Sequence, residues 1–341
     1  MVKKYRVICE NEGYEMKKHT NSIEAILGKY PRADLLETPA LIHKLPRLSE
    51  YLGYSIYILR DDLIGFALGG NKIRKLDYLV GDALAKNADT LVTTKASSFS
   101  RNAAAAGKVC GFEVHVVLVG NESEQNIASQ SFFRQYDTKI MYISKERENE
   151  LQDVYKHLVN SLKKNGKVVY ELHPGGSDVI GALGYIYAFH QIQNYSKNLG
   201  VHFHKIIHPT GSTGTQVGLL LGQCISGYDT HIIGVAVSQK TDVQSARIYE
   251  LALSTAQMLG IQFDKTKILV DDRFIGPGYA IPSADGEYSV KMFAVLDGIL
   301  LDQVYTGKAA AGLLSYVKNK LFKEGENVLF VHTGGNSGIF Y

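Results

Sequence analysis

The residues best suited to chemistry are two lysines that follow a pair of glycines, in the segment Gly69-Gly70-Asn71-Lys72-Ile73-Arg74-Lys75-Leu76. A strand-like run precedes this segment and an apolar-periodic run follows it, which predicts a strand, a glycine-rich turn and a helix start. Glycines let the backbone approach a ligand closely, and a helix start offers free N–H donors to an anion. One lysine could form a Schiff base with an aldehyde cofactor while the other neutralises its phosphate. Two ordinary solvated lysines are the alternative.

A second loop, Thr210–Thr215, has the composition of a phosphate-binding cradle. Two glycines and four hydroxyl residues lie between a predicted strand and a predicted helix. Backbone N–H groups and hydroxyls can converge there on a phosphate, helped by the helix dipole. The glycine spacing fits neither a Walker loop nor a dinucleotide fingerprint. A strand-to-helix turn rich in capping residues is the alternative.

Other polar side chains lie close to predicted strand ends. The hydroxyl residues of the loop 97–100 precede an alanine-rich helix, where such residues usually act as caps. Tyr279 and Tyr305 lie in loops, where a side chain can face a site. His208 and His332 have no carboxylate or second histidine at metal-ligand spacing, so we interpret them as core or rim residues and predict no metal site.

Strands and helices alternate along most of the chain. The predicted strands are 54–59, 90–94, 114–119, 139–143, 168–170, 205–209, 231–237, 267–270 and 328–332. Strand, helix and strand at this spacing imply parallel βαβ units. The pattern therefore predicts an α/β fold with parallel sheets, in which ligands bind at the carboxyl ends of strands. The polar residues 1–34 are interpreted as an N-terminal arm.

Composition narrows the class of protein. The chain has 341 residues, 45% of them hydrophobic and 21% charged, as expected for a globular protein with two lobes. A formal net charge of +3 is too small to indicate nucleic-acid binding. No signal peptide is evident and no apolar run is long enough to cross a bilayer. Three cysteines, far apart and outside metal-ligand spacing, favour a reduced cytoplasmic protein.

Six motifs then occur in order along the chain. They are Gly-Gly-Asn-Lys-x-Arg-Lys-Leu from residue 69, Pro-Gly-Gly-Ser from 174, Gly-Ser-Thr-Gly-Thr from 211, Pro-Gly-Tyr from 277, Asp-x-Val-Tyr-Thr-Gly-Lys from 302 and His-Thr-Gly-Gly from 332. Together they resemble the D-cysteine desulfhydrase and aminocyclopropane-carboxylate deaminase family, which are fold-type-II pyridoxal-phosphate (PLP) enzymes. The resemblance starts at about residue 35.

The resemblance implies an architecture similar to that of the tryptophan synthase β subunit, with a mostly parallel sheet flanked by helices in each of two domains. We predict a large cofactor-binding domain of residues 35–75 and 186–341, and a small domain of residues 76–185. A homodimer is also implied by the resemblance, with a small amino acid as the substrate.

Roles for cofactor contacts follow from the resemblance. Lys72 would carry PLP as a Schiff base, and Asn71 and Lys75 would help to hold it. The other implied contacts lie in three loops: Gly211, Ser212, Thr213, Gly214, Thr215, Thr306 and Thr333. Thr306 would face the pyridine nitrogen, where the deaminase branch has a glutamate and the desulfhydrase branch a hydroxyl. A hydroxyl leaves a weaker electron sink, which suffices for β-elimination because the leaving group removes the electrons.

Substrate contacts are implied for the two tyrosines and for the serine loop. Tyr279 and Tyr305 match active-site tyrosines that would orient the substrate carboxylate or transfer protons. Where the family has Gln-Ser-Asn-His/Gln-x-Arg-Gln, this chain has Ala-Ser-Ser-Phe-Ser-Arg-Asn. Ser97 matches the substrate-contacting serine, and Ser98 replaces the asparagine that bonds the cofactor's phenolate oxygen. Phe99 would put an apolar ring where the substrate carboxylate is usually held.

We therefore predict a PLP-dependent lyase that catalyses β-elimination, most like D-cysteine to pyruvate, ammonia and hydrogen sulfide. Substrate would displace Lys72, which would remove the α-proton with Ser97 or Tyr279 assisting. Three alternatives remain open. The substrate could be another β-substituted alanine or the cyclopropane amino acid. The protein could bind PLP without turnover, because its substrate loop is altered. It could also bind a nucleotide or sugar phosphate through the glycine loops alone.

Overall fold

The structure is a computed structural model that describes residues 22–36, 39, 41–125 and 127–335. Its helices are α1 (Ile23–Leu27), α2 (Pro46–Leu52), α3 (Asn71–Ala85), α4 (Ser98–Val109), α5 (Ile127–Gln135), α6 (Leu151–Lys164), α7 (Val179–Leu199), α8 (Gly214–Ser226), α9 (Thr241–Leu259), α10 (Ala284–Asp297) and α11 (Thr306–Lys318). Its strands are β1 (Ile42–Lys44), β2 (Ser55–Arg60), β3 (Thr90–Thr94), β4 (Glu113–Val119), β5 (Lys139–Ile143), β6 (Val169–Glu171), β7 (Phe203–Thr210), β8 (His231–Ala236), β9 (Leu269–Asp271) and β10 (Asn327–His332). None of the helices within these ranges is long and apolar enough to cross a membrane.

The strands form two sheets. A six-stranded sheet has the order β1-β2-β10-β7-β8-β9, in which β1 is antiparallel to β2 and the other neighbours are parallel. A four-stranded sheet has the order β5-β4-β3-β6 and is parallel throughout. Helices connect the parallel strands, as crossover connections require. The predicted α/β class with mostly parallel sheets is confirmed, whereas the short strand β1 was not predicted.

The predicted division into two domains stays a prediction, although the two sheets fall on either side of it. Every strand of the four-stranded sheet lies within the predicted small domain, and every strand of the six-stranded sheet lies outside it. The proposed boundaries at residues 75 and 185 fall inside α3 and α7. On α3, Tyr78 packs with the core of the six-stranded sheet, while Leu79 packs with the core of the four-stranded sheet. Because this helix contributes to both cores, the exact boundaries remain a prediction.

Residues 22–34 of the predicted arm pack against the body of the protein. In α1, the buried Ile23 and Leu27 join the core that contains α7. Ala33 is buried in the core of the four-stranded sheet. The rest of the predicted arm, residues 1–21, lies outside the described residues.

A buried ion pair fixes the turn that leads into α3. The guanidinium of Arg74 donates hydrogen bonds of 2.7 and 2.9 Å to the carboxylate of Asp61, and Tyr185 donates a third of 2.5 Å. Arg74 is 1% exposed and Asp61 is fully buried. The backbone carbonyl of Asp61 in turn accepts the N–H of Gly70 at 2.8 Å. The pair therefore ties the end of β2 to α3 and α7, and it sets the position of Gly70.

Replacing Arg74 with methionine tests this arrangement. We expect Arg74→Met to lower the free energy of unfolding by about 3 to 5 kcal/mol, because it leaves Asp61 buried without its counter-charge. Urea unfolding followed by circular dichroism measures the change. Lys86→Met is the matched control at the C-cap of the same helix, since Lys86 pairs with Asp82 at the surface and its loss should cost less than about 1 kcal/mol. Equal losses in the two variants would contradict the assignment.

Candidate active site

One cleft brings together the start of α3, the start of α4 and the loop after β10. Its lining residues are Leu68, Gly69, Gly70, Asn71, Lys72, Ser98, Arg101, Asn102, Thr333 and Gly335. Four residues named from the sequence are among them: Asn71, Lys72, Ser98 and Thr333. The cleft therefore lies at the carboxyl ends of strands, where an α/β sheet binds its ligands.

Glycines allow the backbone segments of this cleft to approach each other. Gly69 and Gly70 have φ values of +66° and +90°, in the left-handed region that favours glycine. A Cβ atom on Gly334 would lie 2.8 Å from the Cα of Gly70, which leaves no room for a side chain. At this crossing the N–H of Asn71 donates to the carbonyl of Thr333 at 2.9 Å. The start of α3 is thereby joined to the end of β10.

Lys72 lies in the first turn of α3 and is partly exposed to the cleft. Its amine makes no hydrogen bond or ion pair to another described residue. Burial lowers the pKa of Lys72 from about 10.5 to about 8. A lysine with this pKa is available as a neutral amine in the mildly alkaline range, which suits it to nucleophilic attack on a carbonyl group.

Lys75 is fully buried one turn further along α3. Its ammonium group donates to the carbonyl of Gly175 at 3.1 Å, and no described carboxylate lies within ion-pair distance of it. Burial, and then the charge of Lys72, hold the pKa of Lys75 well below its ordinary value. A Cβ atom on Gly214 would lie 3.0 Å from the Lys75 nitrogen. The ammonium group therefore faces the predicted phosphate loop.

The predicted phosphate loop leads into the N-terminus of α8, which begins at Gly214. The first N–H groups of a helix lack intrahelical acceptors, and the helix dipole makes this end positive. The amide of Asn71 donates to the hydroxyl of Thr215 at 3.2 Å, so the loop lies beside the start of α3. The hydroxyl of Ser177 bonds the carbonyl of Ser212 and accepts from the N–H of Gly214 at 3.4 Å. The start of α8 and Lys75 therefore offer N–H donors and an amine that could hold an anion next to Lys72.

The two predicted tyrosines meet at their hydroxyl groups. Tyr279 and Tyr305 share a hydrogen bond of 2.5 Å. Burial, and then the neighbouring Tyr279 and Asp302, raise the pKa of Tyr305 above its ordinary value, whereas the charge of Arg101 opposes this change. The charge of Arg101, which lines the cleft, therefore reaches the tyrosine pair. Because its pKa is raised, the Tyr305 hydroxyl keeps its proton at neutral pH and is a weaker acid than an ordinary tyrosine.

Thr306 is fully buried and is bonded to Asp302. Its hydroxyl donates to the Asp302 carboxylate at 2.6 Å and accepts from the Asp302 N–H at 2.9 Å. The same carboxylate caps the start of α11 by accepting the backbone N–H groups of Val304, Tyr305 and Thr306. A Cβ atom on Gly335, which lines the cleft, would lie 2.4 Å from the Asp302 carboxylate. Thr306 thus lies near the cleft, but its proton is directed to Asp302.

The serine loop differs in part from what the sequence led us to expect. Ser97 caps α4: its hydroxyl accepts the N–H of Ser100 at 3.3 Å, and the Ser100 hydroxyl accepts the N–H of Ser97 at 2.9 Å. Ser98 is exposed and lines the cleft. Phe99 does not face the cleft, because its side chain is fully buried in the core of the four-stranded sheet. A Cβ atom on Gly176 would lie 2.8 Å from the Phe99 ring. The expected contact of Phe99 with the substrate is therefore corrected.

Several residues of the site were given no role from the sequence alone. Arg101 and Asn102 line the cleft, and the Asn102 amide donates to the carbonyl of Gly69 at 3.1 Å. Both were visible only as part of the serine-loop motif. Gln244 is buried in the first turn of α9, and its amide donates to the Thr210 hydroxyl and to the carbonyl of Gly211 at the phosphate loop. No sequence signal distinguishes it from other residues of its helix.

The two histidines near strand ends are core residues, as interpreted from the sequence. His208 and His332 are both fully buried. Burial lowers the pKa of His208 to about 4, so it is uncharged at neutral pH. In the described part of the chain, no group of three or more His, Cys, Asp or Glu side chains is placed to hold a metal ion.

Comparison with known proteins gives consistent matches over most of the chain. A family model described as pyridoxal-phosphate dependent enzyme matches residues 33–334. A putative 1-aminocyclopropane-1-carboxylate deaminase from Pyrococcus furiosus is 35% identical over 321 residues, which cover 94% of this chain and 96% of the relative. A D-cysteine desulfhydrase from Yersinia pestis is 35% identical over 324 residues, which cover 94% of this chain and 98% of the relative.

Solved structures agree with these matches. The crystal structure of a homologue of ACC deaminase (ACC is 1-aminocyclopropane-1-carboxylate) aligns with a TM-score of 0.84 at 34% identity, covering 94% of this chain and 96% of the other. O-ureido-L-serine synthase aligns with a TM-score of 0.66 at 16% identity, which shows a shared fold alone. Because the family model and the relatives cover nearly the whole chain, the protein belongs to the pyridoxal-phosphate dependent enzyme family, and its cofactor is pyridoxal 5'-phosphate.

Proposed function

We propose that this protein is a PLP-dependent lyase that catalyses β-elimination on a small amino acid, most like D-cysteine to pyruvate, ammonia and hydrogen sulfide. The observation that carries the proposal is a lysine with a pKa near 8 beside a buried anion site. Relatives named D-cysteine desulfhydrase support this choice of reaction. The hydroxyl residue Thr306, where the deaminase branch would have a glutamate, supports it as well.

The residues in and beside the cleft fit the cofactor. A phosphate group binds best to N–H donors and positive charge. The start of α8 supplies the donors, and Lys75 supplies a buried charge with no described carboxylate paired to it. The absence of a side chain on Gly214 lets the start of α8 lie close to the Lys75 amine. We therefore assign the phosphate to the loop Gly211–Thr215 and Lys75, with Asn71 bracing the loop.

The remaining cofactor contacts follow from positions around this anion site. Lys72, one turn before Lys75 on the same helix, would bind the aldehyde carbon covalently. Thr333, in the loop after β10, and Thr306, the first residue of α11, would contact the ring. When bound, the cofactor draws electrons from the α carbon of the amino acid and so makes its C–H bond acidic.

Side chains of this protein supply the proton transfers. Nζ of Lys72 would be the base that removes the α-proton, because its lowered pKa leaves a larger neutral fraction than an ordinary lysine has. The protonated hydroxyl of Tyr305, hydrogen-bonded to that of Tyr279, would orient the substrate carboxylate or take part in proton transfer. Loss of the α-proton and cleavage of the Cβ–S bond release sulfide and 2-aminoacrylate, and water converts the latter to pyruvate and ammonia.

The start of α4 is proposed to hold the substrate carboxylate. Ser97 and Ser98 lie at the N-terminus of this helix, where free N–H groups and the dipole favour an anion. Arg101 follows one turn later on the same side and adds positive charge to the cleft. The altered serine loop thus keeps its capacity to bind a carboxylate, although the asparagine of the family motif is replaced by Ser98.

We also propose a homodimer in the cytoplasm. Exposed apolar side chains on α2 and α10 support an interface: Tyr51, Tyr288 and Val295 are 60%, 54% and 67% exposed. Cys110 and Cys224 are free thiols, which suits a reducing compartment. Light scattering of the purified protein should give twice the chain mass of 37.6 kDa, and a mass of one chain would exclude the dimer.

The reaction is tested by incubating the PLP-loaded protein with D-cysteine. We expect pyruvate and sulfide in equal amounts, together with a change in the visible absorbance of the cofactor. L-cysteine and the cyclopropane amino acid are the comparison substrates, and Lys72→Ala should show no turnover. Preferred turnover of the cyclopropane amino acid would overturn the choice of reaction. Activity that appears only in Ser98→Asn would show that the serine loop has lost substrate recognition.

The lowered pKa of Lys72 predicts how cofactor binding depends on pH. Below about pH 8 the side chain is a protonated ammonium group and reacts slowly, and above it the amine is free. The rate at which apoprotein captures added PLP should therefore rise through a midpoint near pH 8. Stopped-flow absorbance measures this rate, and N-acetyllysine under the same conditions corrects for the titration of PLP itself. A profile parallel to that of N-acetyllysine would contradict the assignment.

A further inference from the structure

Lys308 is a buried cation that the proposed reaction does not use. It is the third residue of α11 and is fully buried. Its ammonium group donates hydrogen bonds of 2.7 Å to the carbonyl of Ile275 and of 2.7 Å to the carbonyl of Gly278. Burying a lysine is costly unless its charge is bonded. Both acceptors belong to the loop between β9 and α10, which carries Tyr279.

This loop has weak hydrogen bonds of its own. The N–H of Ile275 reaches the carbonyl of Asp272 at 3.4 Å, and the N–H of Ile281 reaches that of Gly278 at 3.4 Å. Ala280 has a φ of +60°, a conformation that disfavours a residue with a Cβ atom. A strained loop with long internal bonds keeps its shape only where surrounding groups hold it. The two short bonds from Lys308 are such contacts.

The bonds from Lys308 connect the loop to the element that carries the second tyrosine. Tyr279 directly follows Gly278, whose carbonyl Lys308 holds. Tyr305 directly precedes α11, three residues before Lys308. Asp302 fixes the start of α11 through the backbone N–H groups of Tyr305 and Thr306. The helix that positions Tyr305 therefore also carries the group that positions the loop of Tyr279.

We propose that Lys308 is a positioning residue that holds the loop 275–281 so that the hydroxyl of Tyr279 meets the hydroxyl of Tyr305. Its effect on turnover rests on the proposed function, whereas its effect on the loop does not. The ammonium group suits this role because it donates to two carbonyls at once from a single point, which a neutral apolar side chain of the same length cannot do.

A double-mutant cycle in the PLP-loaded enzyme tests the effect on turnover. Lys308→Met should lower kcat/KM for D-cysteine roughly 10- to 100-fold, as expected when a reacting group is displaced by about an ångström. Tyr279→Phe should give a similar loss, and the double variant should be no worse than Tyr279→Phe alone. Losses that multiply in the double variant would overturn the proposal, because Lys308 would then act by another route.

Two controls separate positioning from a loss of folding. Lys318→Met, at the exposed last residue of the same helix, should leave kcat/KM unchanged. Lys308→Gln keeps a donor for one carbonyl and should give a smaller loss. It replaces the methionine variant in the cycle if that protein does not fold. The cofactor absorbance of each folded variant should match that of the wild type. A lost cofactor band would show instead that Lys308 supports the cofactor site.

Hydrogen exchange tests the loop itself, independently of any activity. Backbone amides of residues 275–281 should exchange at least tenfold faster in the Lys308 variants than in the wild type, with those of β7 and α8 unchanged. Unchanged exchange in the loop would overturn the proposal. If D-cysteine is not turned over by the wild type, the proposed reaction fails, but this result still decides whether Lys308 holds the loop.

Discussion

Two lysines one turn apart on α3 are held at the centre of this protein, and no described carboxylate pairs with either. Lys75 is fully buried, and burial lowers the pKa of both side chains. Such charges are costly in a folded protein unless a ligand compensates them. The N-terminus of α8 lies close to Lys75 because Gly214 has no side chain. An anion bound there would satisfy both the helix N-terminus and Lys75. Cofactor binding should accordingly stabilise the fold, since it favours the folded state alone.

Other buried charged groups of the region are hydrogen-bonded to a counter-charge or to backbone groups, and each of them fixes a segment of backbone. Arg74 and Asp61 hold the turn before α3, and Asp302 caps the start of α11. Lys308 bonds two carbonyls of the Tyr279 loop. Strand ends, helix starts and loops are thus fixed by bonded charges, which leaves the unpaired lysines for the ligand. Charged groups that hold the backbone can thus be told apart from the two lysines, which have no described carboxylate partner and are proposed to bind the cofactor.

Local patterns in the sequence predicted much of this arrangement. Strand–helix alternation gave the parallel α/β fold, and the glycine and hydroxyl spacing pointed to Lys72 and to the loop Gly211–Thr215. Contacts between distant residues could not be foreseen, such as the bond from Tyr185 to Asp61 across 124 positions. Whether Phe99 faces the cleft depends on the rotation of α4 against its core, which a motif does not specify. Asp302 and Thr306 are only four residues apart, so their proximity follows from the sequence. The motif does not indicate, however, that the Thr306 hydroxyl donates its proton to Asp302.

The central claim is that Lys72, and not the neighbouring Lys75, binds the cofactor covalently. Borohydride reduction of the PLP-loaded protein makes that bond permanent, and peptide mass spectrometry then locates it. We expect one phosphopyridoxyl group on Lys72 and none on Lys75, whose buried amine faces the phosphate loop. A label on Lys75, or a protein left unlabelled although it is saturated with cofactor, would contradict it.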